Sequence, residues 1–122
     1  MLIKTADLTN AALDWAVGSI EKLPSDLLTW HDGSPVVQRS VLGHTDLLRC
    51  EFSTNWAQGG PIIERECIAV GCIHTTCWTP NSWDAKHPQR HRGHGPTPLI
   101  AAMRCLVASK LGDTVEIPDG LL

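Results

Sequence analysis

Apolar residues recur at steps of three and four along the first organised stretch of the chain, at Leu8, Ala12, Trp15, Ala16, Ile20 and Leu23. That spacing lays them on one helical face. Thr9 suits the N-cap, with Asp7 as the neighbouring choice. Pro24 ends the element, because proline carries no N–H and disfavours helical geometry in the residue before it. A helix over 9–23 is therefore expected. A second stripe, Leu99, Ile100, Met103, Leu106, Val107 and Leu111, follows Thr97 as N-cap and Pro98 at the first helical position. Lys110 in the last turn and Gly112 as a left-handed C-cap close it, which predicts a helix over 98–111.

Between these helices the pattern shortens and is broken by turn residues. Asp32-Gly33-Ser34-Pro35 is turn chemistry, Val36-Val37 and Leu47 to Phe52 read as short strands, and Gly43-His44 breaks the space between. Ser53 to Pro61 reads as a loop, after which Ile62 to Glu66 begins another ordered piece. Cys67 to Cys77 has strand-like content, Trp83-Asp84-Ala85 forms a short strand within a polar stretch, and Thr114 to Ile117 alternates up to Pro118. The expected class is α+β, with two amphipathic helices packed on a small antiparallel sheet. A single domain should span 1–122, with an irregular Cys/His-rich segment at 67–95.

Composition narrows the function more than the fold. Ten Lys and Arg stand against thirteen Asp and Glu, a formal charge of −3, so the electrostatic term that drives nucleic-acid affinity has no global support. No run approaches the ~18 consecutive apolar residues that a membrane span requires. Met1 to Asp7 shows neither a basic region followed by an apolar stretch nor a small-residue cleavage site, so a cytoplasmic location is expected. Five cysteines are an odd number in such a chain, and free thiols are the default.

Three blocks together carry a family resemblance. They are Leu8-Thr9-Asn10-Ala11-Ala12-Leu13-Asp14-Trp15-Ala16-Val17, then Ser53-Thr54-Asn55-Trp56-Ala57-Gln58-Gly59-Gly60-Pro61-Ile62-Ile63-Glu64-Arg65, and a stretch from Gly95-Pro96-Thr97-Pro98 through Lys110-Leu111-Gly112 to Pro118. In this order they resemble the NinX-type accessory proteins of lambda-like temperate tailed phages and prophages. The resemblance implies a small accessory protein acting in an infected or lysogenic bacterial host, and it carries over no catalytic residues. The chain departs from the family pattern in Pro24 to Phe52 and in Cys67 to His94.

Several constellations could carry chemistry. Cys67, Cys72, Cys77, His74, His87, His91 and His94 concentrate soft and imidazole ligands. Zinc takes four such ligands, usually from close C-x-x-C and H-x-x-x-H pairs. The cysteines here are spaced by four residues without a C-x-x-C knuckle, while His87 and His91 make an acceptable second pair, so Cys72, Cys77, His87 and His91 are the set a zinc ion would use. The competing reading makes the cysteines, Cys67 among them, small buried hydrophobes and the histidines part of a solvated loop. A basic cluster, His87, Gln89, Arg90, His91, Arg92 and His94, could meet phosphates, but the acidic total and the lysine-free Pro96-Thr97-Pro98-Leu99 argue against a nucleic-acid partner. No nucleophile elbow, Walker loop, dinucleotide fingerprint or H-E-x-x-H motif assigns a catalytic residue.

The loop from Ser53 to Pro61 offers the best candidate site. Trp56 presents a stacking face, Asn55 and Gln58 bring donors and acceptors, and Gly59 and Gly60 let a ligand approach the backbone. Arg104 can add a bidentate fork for phosphate or carboxylate. The expectation is that Asn55, Trp56, Gln58, Gly59, Gly60 and Arg104 line a concave site for a small, nucleotide-like anion. The alternative places Trp56 in the core, makes Gly59-Gly60-Pro61 a turn, and pairs Arg104 with Glu64 or Glu66. The sequence thus points to a non-catalytic binding domain for a host component or a small anionic ligand, without a cofactor. Short strands that leave an edge or an apolar face uncovered point to a homodimer. A zinc-stabilised protein-interaction module and a nucleic-acid binder are the alternatives.

Overall fold

The two expected helices form, and each is buried more widely than a single stripe would allow. In a computed structural model, which describes residues 1–73, 82–88 and 90–122, the first helix α1 runs from Asn10 to Glu21 behind an extended Thr9. It stops at Lys22, whose extended backbone leads into Leu23-Pro24. Its fully buried residues are Leu13, Ala16 and Val17, while Trp15 and Ile20 sit half-buried on the flank and Leu23 is exposed. The shift from the expected stripe follows from packing on two sides, against a strand and against another helix.

The helix that runs from Pro98 to Leu111 is the centre of the molecule. Thr97 Oγ1 accepts from Ile100 N at 3.1 Å, so the cap read from the sequence is made by the side chain. Leu99, Ala101, Ala102, Met103, Cys105, Leu106 and Val107 are all buried, as expected of a helix apolar on most of its surface. Gly112 follows at φ +90°, positive as foreseen but outside the left-handed helical region.

Between these two lies a helix whose first half, to Pro61, the sequence suggested was a loop and whose second half, from Ile62, it suggested was ordered. It spans Trp56 to Glu66 and is here α2, which makes the Pro98–Leu111 helix α3. Asn55 Oδ1 caps it by accepting from Ala57 N at 2.9 Å. Pro61 lies inside, forgoing one N–H bond. Burial of Ile62 and packing against α3 hold the helix despite Gly59, Gly60 and Pro61. It ends at Cys67 in the left-handed region (φ 55°, ψ 41°), with Ile68 N bonded to Ile63 O at 3.0 Å and Cys67 N to Glu64 O at 3.3 Å. That is a Schellman termination. Cys67 is exposed there, which corrects its expected role as a small buried hydrophobe.

Among the described residues the strands form three small antiparallel sheets, not one. β1 (Leu2–Lys4) pairs with the terminal strand β8 (Thr114–Glu116). A meander, β2 (Leu27–His31), β3 (Ser34–Val41) and β4 (His44–Arg49), occupies the region between α1 and α2. A second meander, β5 (Ala69–Ile73), β6 (Ser82–Lys86) and β7 (Arg92–Gly95), lies between α2 and α3. Asp32 (φ 53°) and Gly33 (φ 76°) close the β2–β3 hairpin, and Leu42 (φ 50°) and Gly43 (φ 82°) close β3–β4. Two-residue hairpins demand such left-handed pairs. Cys50 to Phe52, expected within a strand, instead connect β4 to α2.

Helix α3 packs across β5, β6 and β7, and α1 lies between α3 and β3. The contact of β7 with α3 is unusually close. A Cβ added at Gly93 would strike Ala101 O and come within 2.5 Å of Cys105 N, and one at Gly95 would come within 2.8 Å of Ile100 Cγ2. The strand can lie flush on the helix only because both residues are glycine.

Candidate functional site

The glycine alternation in β7 turns the other two residues of that strand, Arg92 and His94, away from α3 and leaves them exposed. Beside them stands Arg104, midway along α3. Its Nε donates to Leu8 O at 2.8 Å and its Nη1 to His94 O at 2.7 Å, so two of its five N–H groups brace the entry to α1 against β7. This sets aside the alternative in which Arg104 pairs with Glu64 or Glu66. Glu66 instead receives Lys110 at 3.2 Å, His87 at 3.3 Å and Arg65 at 3.3 Å.

Arg104 lines a cleft of about 550 Å³. Lys4 contributes from the end of β1, Thr5 and Ala6 from the 3-10 turn that follows it (Thr5–Asp7), Arg92 to Gly95 from β7, Ala108 from α3, Thr114 from the start of β8 and Asp113 from just before it. Among the described residues of the lining, Lys4, Arg92 and Arg104 bring positive charge against the carboxylate of Asp113. Burial lowers the pKa of the Arg104 guanidinium below its ordinary value, while the nearby charge of Asp7 opposes that shift. Arginine stays protonated near neutral pH under such perturbation. Thr5 is held by its own bonds, N to Asp113 O at 2.7 Å and Oγ1 to Gly112 O at 2.6 Å, which fixes the two chain ends beside the cleft.

The loop residues singled out from sequence lie together on the first turns of α2, apart from this cleft's lining. Asn55 is the helix cap. Gln58 Oε1 accepts from Glu51 N at 2.8 Å and its Nε2 donates to Arg49 O at 2.8 Å, so its amide fastens β4 to α2. Gly59 is buried, where a Cβ would strike Leu99 and lie 2.6 Å from Phe52 O. Gly60 lies beside the ring of Trp56, 3.9 Å from Cε3 to a Cβ built there, and Trp56 is 55% exposed. The core placement of Trp56 weighed above is thereby excluded, and the glycines belong to a helix instead of a turn.

The residues proposed for zinc are also spread out where they are described. Cys72 stands opposite Trp83 on β6, whereas His87 follows the far end of that strand, roughly 13 Å along it at a strand's rise per residue. His87 is buried with Nε2 3.3 Å from Glu66 Oε1, and its ring meets that of His91 edge-on at 6.4 Å between centroids. Cys77 and Gln89 lie outside the described residues. Among those that are described, no three His, Cys, Asp or Glu residues gather as a metal site would need.

Sequence reasoning found Arg104, Arg92 and His94 separately and missed Lys4 and Asp113. The alternation Arg92-Gly93-His94-Gly95 was the available signal, since small residues at every second position mark a strand pressed on a neighbour with its other face outward.

A family model described as Bacteriophage P22, NinX matches residues 4–110. The chain belongs to the phage NinX family. The match covers the three blocks that suggested the resemblance, apart from the end of the last one. Within the NinX span lie all three helices down to Lys110 and the cations Lys4, Arg92 and Arg104, while Asp113 and Thr114 lie beyond it. Among curated proteins none matches. Among the described residues, no helix of this NinX-family chain is long and apolar enough to cross a membrane.

Proposed function

We propose that this NinX-family chain is a non-catalytic binding domain that holds an anionic group, of a host component or a small ligand, in the cleft beside Arg104. The observation that carries the reading is the bracing of the Arg104 guanidinium by Leu8 O and His94 O while it lines a cleft shared with Lys4 and Arg92. A guanidinium already held in place loses little conformational freedom on binding, and its remaining N–H groups suit the paired oxygens of a carboxylate or phosphate. Calorimetric titration with inorganic phosphate, citrate and ADP tests it. Arg104→Gln should weaken the tightest of these by roughly tenfold or more, the worth of a charge-assisted hydrogen bond. Equal binding by parent and variant would reject the cleft.

The domain is further taken to be a homodimer. β4 is an edge strand exposed at every residue, with Leu47 at 61% and Leu48 at 50% exposure. Edges of this kind are commonly covered by a second copy across a two-fold axis.

A further inference from the structure

We propose that the anion taken by the cleft belongs to an extended peptide segment, which adds as a strand along the outer edge of β7 at Arg92 and presents a carboxylate to Arg104. The inference rests on the cleft reading above and names its ligand class. Three observations carry it.

The first is the direction of the main-chain groups. β7 is the last strand of its sheet, and His87 N bonds to His91 O at 2.8 Å, in register with the pairs Lys86–Arg92 and Ala85–Gly93. Hydrogen-bonded pairs alternate in an antiparallel ladder, so Gly93 and Gly95 point their N–H and C=O towards β6. The corresponding groups of Arg92 and His94 point outward, into the cleft they line. His94 O is met there by Arg104 Nη1 at 2.7 Å, in the position that an incoming strand's donor would take.

That contact fixes the spacing. A segment residue can exchange both main-chain bonds with Arg92, but at His94 the carbonyl already has its donor. Two residues along the added strand, about 7 Å on, the segment meets the guanidinium instead of the backbone. A carboxylate there receives the N–H groups that Arg104 has left.

The second observation is the lining. Ala6 and Ala108 are small and admit a backbone, and among the described residues no Trp, Tyr or Phe lines the cleft for a nucleobase to stack on. The third is charge: Lys4, Arg92 and Arg104 outweigh Asp113, which favours an acidic segment and steers its approach.

The test uses a fluorescein-labelled hexapeptide of alternating Thr and Val with one central Glu, read by anisotropy on the full chain. Replacing its Glu by Gln, or N-methylating alternate amides, should each weaken binding by roughly tenfold. On the protein, Arg92→Ala should cost the charge alone, whereas Arg92→Pro also removes the outward N–H and should weaken binding roughly tenfold further, since an edge strand accepts proline at such a position. If Arg92→Pro fails to fold, the methylated peptide still decides the backbone question. Equal affinity for the methylated and unmethylated peptides would overturn the strand pairing. Tighter, Arg104-dependent binding of ADP or phosphate with none of the peptide would overturn the peptide while leaving the cleft. No Arg104-dependent binding of any probe would overturn both.

Discussion

The main-chain N–H of Ser53 donates to the Asp14 carboxylate at 2.8 Å, which ties the segment before α2 to the buried face of α1. Burial raises the pKa of Asp14, and the Ser53 bonds oppose that shift without cancelling it. A carboxylate whose folded pKa is raised contributes stability below its unfolded pKa, and loses it as pH rises through the folded value. Asp14→Asn keeps an acceptor for Ser53 and carries no charge. It should unfold at the parent's temperature or above at pH 7, with the difference closing as pH falls through the raised folded value towards about 4. Asp14→Ala removes the acceptor and should cost about 1–3 kcal/mol. Thermal unfolding across pH reads both, and a destabilised Asp14→Asn at pH 7 would contradict the account.

Asp26 shows the opposite sign. Its side chain is only 1% exposed, and it receives Arg39 Nη2 at 3.0 Å and Leu23 N at 3.0 Å. The Arg39 hydrogen bond is the chief cause that lowers its pKa, followed by the Leu23 N–H. Such a group stabilises the fold above its unfolded pKa, and that contribution is lost as pH falls through the depressed folded value. Arg39→Gln should therefore lower the melting temperature at pH 7 and much less below pH ~3. A loss independent of pH would show that Arg39 acts through packing alone.

Adjacent glycines in α2 should respond differently to the same change. Gly59→Ala forces a methyl against Phe52 O and Leu99, and should destabilise by about 1–3 kcal/mol. Gly60→Ala meets only the edge of Trp56 at 3.9 Å, and should be neutral or stabilise by up to ~1 kcal/mol through helix propensity. Trp56→Ala should lose far less than the roughly 3–5 kcal/mol of a core tryptophan. Denaturant titrations of the three variants check this, and equal losses at Gly59 and Gly60 would be evidence against helix α2.

Light scattering should find a dimer, and Leu47→Lys should shift it to monomer with little change in unfolding of the isolated subunit, because Leu47 is solvent-exposed in the single chain. A parent mass that stays monomeric across a concentration series would exclude pairing through β4.

What the sequence made legible was whatever a local period could encode. The stripes of α1 and α3, the Thr97 cap and the alternation of β8 are short-range properties of the chain. Helix α2 was hidden because Gly59, Gly60 and Pro61 each oppose helix formation locally. Its support comes from elsewhere, in the Asn55 cap, the Gln58 bridge and the space that Gly59 leaves for Leu99. The β3–β4 hairpin was obscured by a leucine, Leu42, holding a backbone conformation that favours glycine or asparagine. Arg104 was recognisable as a candidate, but its partners are carbonyl oxygens, which every residue possesses and no sequence pattern marks.

The bond from Thr5 Oγ1 to Gly112 O joins residues 107 positions apart. Contacts of such separation close a very long loop, so they carry an entropic cost and tend to appear late in folding. Lys4 and Thr114, which meet in β1 and β8, therefore come together only after the segment through Thr114 has left the ribosome. A nascent chain can hold α1 and the first meander and still lack the cleft. A chain truncated before Asp113 should therefore keep much of its helical signal while losing the wall of the cleft that Thr5, Asp113 and Thr114 build together.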